Sequence, residues 1–147
     1  MSRHGYTDDF WDENANRAYL YRGAVESALR GRRGQAFLRE LLAALDALPE
    51  PRLISNLLIE DGAVCALGAV GKARGIDMMP FAPQHDAHCD YDDLDDMGEA
   101  MAALFGIAPA MAREIMFEND EGICGDETAE KRFARIRRWV VRQIREG

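Results

Sequence analysis

The sequence predicts a mainly α protein, a compact bundle of five or six helices with room for one short β element. Three observations lead there. A chain of 147 residues, 48% hydrophobic and 30% charged, has the size and composition of a single helical domain spanning 1–147 that builds its core without metals or disulfides. Apolar residues recur at helical spacing in several segments, most sharply between Thr128 and Arg145. Glycine and proline stand at the ends of those segments, where they terminate helices.

Taken in order, Phe10, Trp11, Ala18, Val25 and Leu29 place a first helix over about Asp9–Arg30, with Asp8 or Asp9 as its cap. Gly31-Arg32-Arg33-Gly34 breaks it. A second helix over about Gln35–Leu48 carries Phe37, Leu38, Leu41, Leu42, Leu45 and Leu48, and Pro49 and Pro51 end it. Leu53–Ile59, followed by the turn signal Asp61-Gly62, fits a short strand or a helical turn, with the strand favoured. Ala63–Arg74 is rich in small residues and reads as a short buried helix closed by Gly75. Residues 76–91 read as a loop.

Tyr91-Asp92-Asp93 then opens a helix to about Phe105, with acids in its first turn where the helix dipole favours them. Gly106 ends it, and Pro109 suits the first turn of a helix reaching about Asn119. In the last helix, capped by Thr128, Phe133, Ile136, Val140 and Ile144 fall on one side. Lys131, Arg135, Arg138, Arg142 and Arg145 fall on the other, expected to be solvent-facing. The expected core comprises Trp11, Leu38, Leu41, Leu45, Leu67, Leu104, Ile115, Phe133, Ile136 and Val140.

Charge is segregated along the chain behind a net value of −8. Residues 17–39 carry six arginines against Glu26, and residues 131–147 carry seven cations against Glu146. Residues 40–130 carry twenty acids against four cations. Such asymmetry creates a steering field for charged partners. No apolar run approaches the roughly 18–20 residues of a membrane span. Met1–Tyr6 leads into Asp8-Asp9 without an apolar segment, so the expected location is the cytoplasm. Three widely spaced cysteines, Cys65, Cys89 and Cys124, make a poor disulfide framework.

Several motifs bear on chemistry. His85, His88 and Cys89 are donors suited to a transition metal, but no second ligand pair stands at zinc-finger spacing, so an ordinary surface loop is the stronger reading. Met101–Arg113 has the form of a helix-turn-helix, yet its second helix sets Arg113 against Glu114 and Glu118, which repel phosphate. Cys65, expected near a helix N-terminus, sits among Val64, Ala66 and Leu67 as an inert thiol would. A calcium loop at Asn119–Gly122 fails on register, since Phe117 would fall at its first ligand position. No phosphate-binding loop, dinucleotide fingerprint or serine elbow occurs.

Three patches in order, Ala28-Leu29-Arg30-Gly31-Arg32-Arg33-Gly34-Gln35, Cys65-Ala66-Leu67-Gly68-Ala69-Val70, and Asn119-Asp120-Glu121-Gly122 before the Thr128 helix, resemble a loose group of short uncharacterised bacteriophage and prophage proteins. The resemblance implies a phage or prophage origin and an accessory role, directed against host defence. It supplies no catalytic residues.

The expected function is therefore non-enzymatic, without a cofactor. The first reading is binding of a basic host protein by Asp90, Asp92, Asp93, Asp95, Asp96 and Glu99, where carboxylates imitate phosphates. The alternative is nucleic-acid binding by Lys131, Arg135, Arg138, Arg142 and Arg145, extended by Arg30, Arg32 and Arg33. A third is a metal or thiol enzyme around His85, His88, Cys89 and Cys65. At the level of the fold, Ile136→Asp or Val140→Asp should unfold the protein, because an unpaired buried charge costs several kcal/mol or more. A variant that melts like the parent contradicts the helix assignment.

Overall fold

A computed structural model describes the protein at residues 3–4, 15–82, 97–121 and 126–146. It is mainly helical, as the sequence predicts. Among the described residues six helices and one two-stranded hairpin follow in the order α1 (Ala15–Arg30), α2 (Arg32–Asp46), β1 (Ile59–Glu60), β2 (Ala63–Val64), α3 (Ala66–Arg74), α4 (Met97–Phe105), α5 (Pro109–Glu121) and α6 (Ala129–Gln143). A 3-10 turn at Met79–Phe81 follows α3. No helix among the described residues is long and apolar enough to cross a membrane.

Two helices organise the packing. Helix α2 lies against α1, α3 and α6, while α5 lies against α1, α3, α4 and α6. The reason for α2 is its leucine stripe: Phe37, Leu38, Leu41 and Leu45 are all buried. Helix α5 buries Met111, Ala112, Ile115 and Met116. Ile136, Trp139 and Val140 of α6 complete the same cluster. Of the expected core, Leu104 and Phe133 are half-buried at its edge, and Trp11 lies outside the described residues.

The β element is displaced from its expected place. Leu53–Leu58 is irregular, and the hairpin forms at Ile59–Glu60 and Ala63–Val64, with Ile59 opposite Val64 and Glu60 opposite Ala63. The turn Asp61-Gly62 explains the shift: both residues have positive φ, as a type I′ hairpin turn requires, so pairing starts immediately on either side. The Leu53–Leu58 segment is held through other partners. Leu53 N–H donates to Ala129 O, and Ile54 N–H donates to Val64 O. Consequently α3 begins at Ala66, later than the expected Ala63, and closes at Gly75 with a left-handed φ of 70°.

The expected break at Gly31–Gly34 narrows to Gly31, since α2 starts at Arg32, and a buried glutamine fixes this α1–α2 junction. Gln35 Nε2 donates to Leu29 O at 2.8 Å and to Gln143 O at 2.9 Å, and its Oε1 accepts from Arg145 N–H at 2.8 Å. One side chain thus ties the α1–α2 junction to the end of α6. Arg74 plays a comparable part near the middle of α2. It pairs with both carboxylate oxygens of Glu40, donates to Phe105 O at the end of α4, and lies over the Phe37 and Phe105 rings.

Two glycines separate close approach from mere helix placement. A Cβ at Gly34 would lie 1.8 Å from Ala28 O, whereas at Gly23 it would meet nothing within 4 Å. Gly34→Ala should therefore cost about 1–3 kcal/mol or more by forcing the α1–α2 junction apart. Gly23→Ala should stabilise by roughly 0.5–1 kcal/mol through helix propensity alone. Urea denaturation checks both, and similar effects at the two sites contradict the junction geometry.

Candidate functional site

The end of α5 collects the densest polar network in the described structure. Its last turn exposes backbone carbonyls that no further helical N–H can reach, and two arginines of α6 take them. Arg135 Nη1 donates to Glu118 O, and Arg135 Nη2 donates to Asn119 O. Arg132 Nε donates to Asn119 O at 3.1 Å, and its Nη1 donates to Leu53 O at 3.1 Å. Arg135 also grips Glu127 with two parallel hydrogen bonds of 2.7 and 2.8 Å. Cations at a helix C-terminus also complement its dipole.

Asn119 and Asp120 complete the hub. Asn119 Oδ1 accepts from Ala66 N–H at 3.0 Å, satisfying the start of α3, while Asn119 Nδ2 donates to Ile54 O at 2.9 Å. Cys65, at the cap position of α3, makes no side-chain capping bond, so Asn119 supplies it from another helix. Asp120 accepts from Asn56 N–H and forms a bidentate pair with Arg3, at 2.7 and 2.9 Å. Arg3 Nη1 also reaches Cys65 Sγ at 3.5 Å. His4, buried and edge-on to the Phe117 ring, meets Glu121 through Nε2. Removing one partner of such a group leaves another buried and unpaired, at a cost of about 1–3 kcal/mol.

This arrangement corrects the expectation for Arg135. It is 9% exposed and belongs to the hub, not to a solvent-facing stripe. On the helical wheel it flanks Arg132 and Trp139, and its long side chain follows the apolar stripe inward to the α5 carbonyls. Lys131, Arg138, Arg142 and Arg145 are exposed. Arg137, elsewhere on α6, pairs with Asp46 of α2 at 2.8 Å. Asn119–Glu121 form the last turn of α5, where the sequence suggested the start of a loop.

The structure brings the two basic segments together. Through Gln35, and through Arg39 Nη2 donating to Arg145 O at 2.8 Å, the α1–α2 junction abuts the end of α6. Arg30, Arg32, Arg33, Arg142 and Arg145 are all exposed there. Arg30 has Glu26 at 3.9 Å, and no carboxylate of the described residues pairs within 4 Å of the other four. Beside them runs a cleft of about 320 Å³ between α1, α5 and α6. A separate hollow of about 440 Å³ lies beside the hairpin, against Leu48, Arg52, Ile54 and Lys72.

Glu99 is exposed in the first turn of α4, while Asp90, Asp92, Asp93, Asp95 and Asp96 lie outside the described residues, as do His85, His88, Cys89 and Cys124. Among the described residues no group of three or more His, Cys, Asp or Glu side chains is placed to hold a metal. Cys65 is fully buried, with Arg3 against its sulfur. The chain bends by 108° between α4 and α5, an angle shared with helix-turn-helix units. Helix α5 nevertheless sits against four other helices and buries Glu114 and Asn119, so it cannot be the helix that enters a groove.

Sequence reasoning found the basic turn and the closing helix but missed Arg3, Asn119, Arg132 and the inward role of Arg135. The one available signal was the clustering of Asn119-Asp120 just before a helix rich in arginine. Comparison with protein-family models, curated proteins and solved structures gave no match.

The Arg135 hydrogen bonds pull the Glu127 carboxyl below its ordinary value, against the opposing effect of burial. A carboxyl lowered in the folded state stabilises the fold above its unfolded value, near 4.5, and that stabilisation fades as pH falls through the folded value. Glu127→Gln should therefore destabilise the protein at neutral pH, with the deficit shrinking in acid. Equal deficits in acid and at neutrality, measured by denaturant titration, contradict this role.

Proposed function

We propose that the protein is a non-enzymatic binding protein of phage or prophage type that engages nucleic acid through its basic end. The observation that carries this reading is that Arg30, Arg142 and Arg145, from two segments more than a hundred residues apart, line one cleft, with Arg32 and Arg33 exposed at the neighbouring start of α2. Buried Gln35 ties the two segments together through backbone groups, while acids of the same chain pair with Arg3, Arg74, Arg132, Arg135 and Arg137. Guanidinium groups left without carboxylates are suited to phosphate oxygens, which they meet in bidentate geometry. The overall negative charge of the chain slows approach to a polyanion, so binding depends on this local field rather than on net charge.

A second reading rests on the twenty acids between residues 40 and 130, among them Asp90, Asp92, Asp93, Asp95, Asp96 and Glu99. They suit a basic surface of a host protein in place of nucleic acid. The two readings part on salt and on probe. With five guanidiniums on phosphates, log affinity for a single strand should fall against log salt with a slope of about −3.5. Arg142→Glu with Arg145→Glu should weaken binding and flatten the slope by about 1.4. Fluorescence anisotropy with a labelled oligonucleotide reads both. Absence of binding at low salt removes the nucleic-acid reading and leaves the acidic one.

A further inference from the structure

The cleft between α1, α5 and α6 differs from a plain phosphate-binding surface because carboxylates line it beside the arginines. Exposed Arg30, Arg142 and Arg145 line it together with buried Trp139, buried Glu114 and half-buried Glu118. Glu114 is 3% exposed and is paired with Arg22 at 2.8 Å. Glu118 is the unusual member. Its side chain is 22% exposed, it accepts no hydrogen bond from the described residues, and its nearest cation is Arg135 Nη1 at 3.9 Å. Among the described residues no buried side-chain oxygen lacks a partner, so the unbonded Glu118 carboxylate is accessible. Here its open side faces the cleft.

We propose that this cleft receives one unstacked base of a single-stranded nucleic acid, with Glu118 accepting hydrogen bonds from the donor edge of that base while Arg30, Arg142 and Arg145 hold the flanking phosphates. The inference rests on the nucleic-acid reading above and specifies its substrate as single-stranded. A duplex keeps its Watson–Crick edges paired and cannot deliver one into a cleft between helices, whereas a single strand can splay a base outward. A volume of about 320 Å³ is at the small end of the roughly 300–1,000 Å³ typical of ligand pockets, which suits one flat heterocycle. Trp139 offers an apolar flank for it.

The acceptor chemistry also selects among bases. Guanine presents an N–H and an amino group side by side, matching the two oxygens of a carboxylate. Adenine and cytosine each present one amino group. Thymine presents one N–H between two carbonyls, which a carboxylate repels. Burial and the neighbouring Glu114 push the Glu118 carboxyl above its ordinary value, while Arg135, Arg22 and Arg142 oppose that rise. Donors from a bound base would relieve the same burial.

The test compares three fluorescent probes by anisotropy at low salt: a short oligothymidine, the same strand with one central dG, and the duplex of the latter. The expected result is that the dG strand binds about tenfold or more tightly than oligothymidine, in line with a good bidentate base contact, and that the duplex binds weakest. Glu118→Gln should bring the dG strand to within about twofold of oligothymidine, while oligothymidine binds at least as tightly as to the parent because a carboxylate beside the phosphate-holding arginines is neutralised, which also shows that the variant is folded. Equal affinity for the two strands in the parent protein, or a duplex bound as tightly as the strand, overturns the base pocket while leaving salt-dependent nucleic-acid binding standing. Failure of all three probes to bind overturns both.

Discussion

Three guanidinium groups taken out of water hold this structure together. Arg3, Arg132 and Arg135 converge on the last turn of α5 and the residues around it, where each finds carboxylate or carbonyl acceptors. Burying an ion is costly unless its hydrogen bonds are met, and here no buried side-chain nitrogen or oxygen of the described residues lacks a partner. The geometry is consequently narrow. Asn119 must face Ala66 and Ile54 at once, and Asp120 must face Arg3 and Asn56, so α5, α3 and the Leu53–Leu58 segment can meet in one way only. Hydrophobic burial drives α2 and α6 together, but it is non-directional. The polar hub supplies the direction.

That hub also decides what remains for binding. The chain has many arginines, and counting them along the sequence treats them alike. In the fold they divide into a structural class, gathered on acids and carbonyls, and an exposed class at the α1–α2 turn and the end of α6. Gln35 produces the second class by locking those two ends together, a role that explains why a polar side chain is buried at a helix start. The same division moderates the meaning of net charge, because the acids that make the chain negative are partly consumed inside it.

The helices were legible because each carries its own periodic signal. The α6 stripe with its Thr128 cap, the leucine run of α2, and the glycines at 75 and 106 are local patterns that survive in three dimensions. The hairpin was half legible: Asp61-Gly62 marked the turn, but the apolar run before it suggested pairing that the short strands do not make. The hub was not legible. The contacts of Arg3 with Asp120 and of Asn119 with Ala66 join residues 117 and 53 positions apart, and a guanidinium bound to a carbonyl leaves no trace in spacing. Arg135 shows the limit well. Its position on the helical wheel lies at the edge of the apolar stripe, where a long cationic side chain can turn to either side, and only the carbonyls at the end of α5 settle which.

The central claim is this separation of arginines into buried and available groups, and side-chain NMR of the arginine Nε–H groups tests it most directly. The account gives slowly exchanging, dispersed signals for Arg3, Arg132 and Arg135 that an added single-stranded oligonucleotide leaves in place, while the signals of Arg30, Arg142 and Arg145 exchange fast and shift on titration. Uniform, averaged signals from all of them, or shifts concentrated on Arg132 and Arg135, would contradict it.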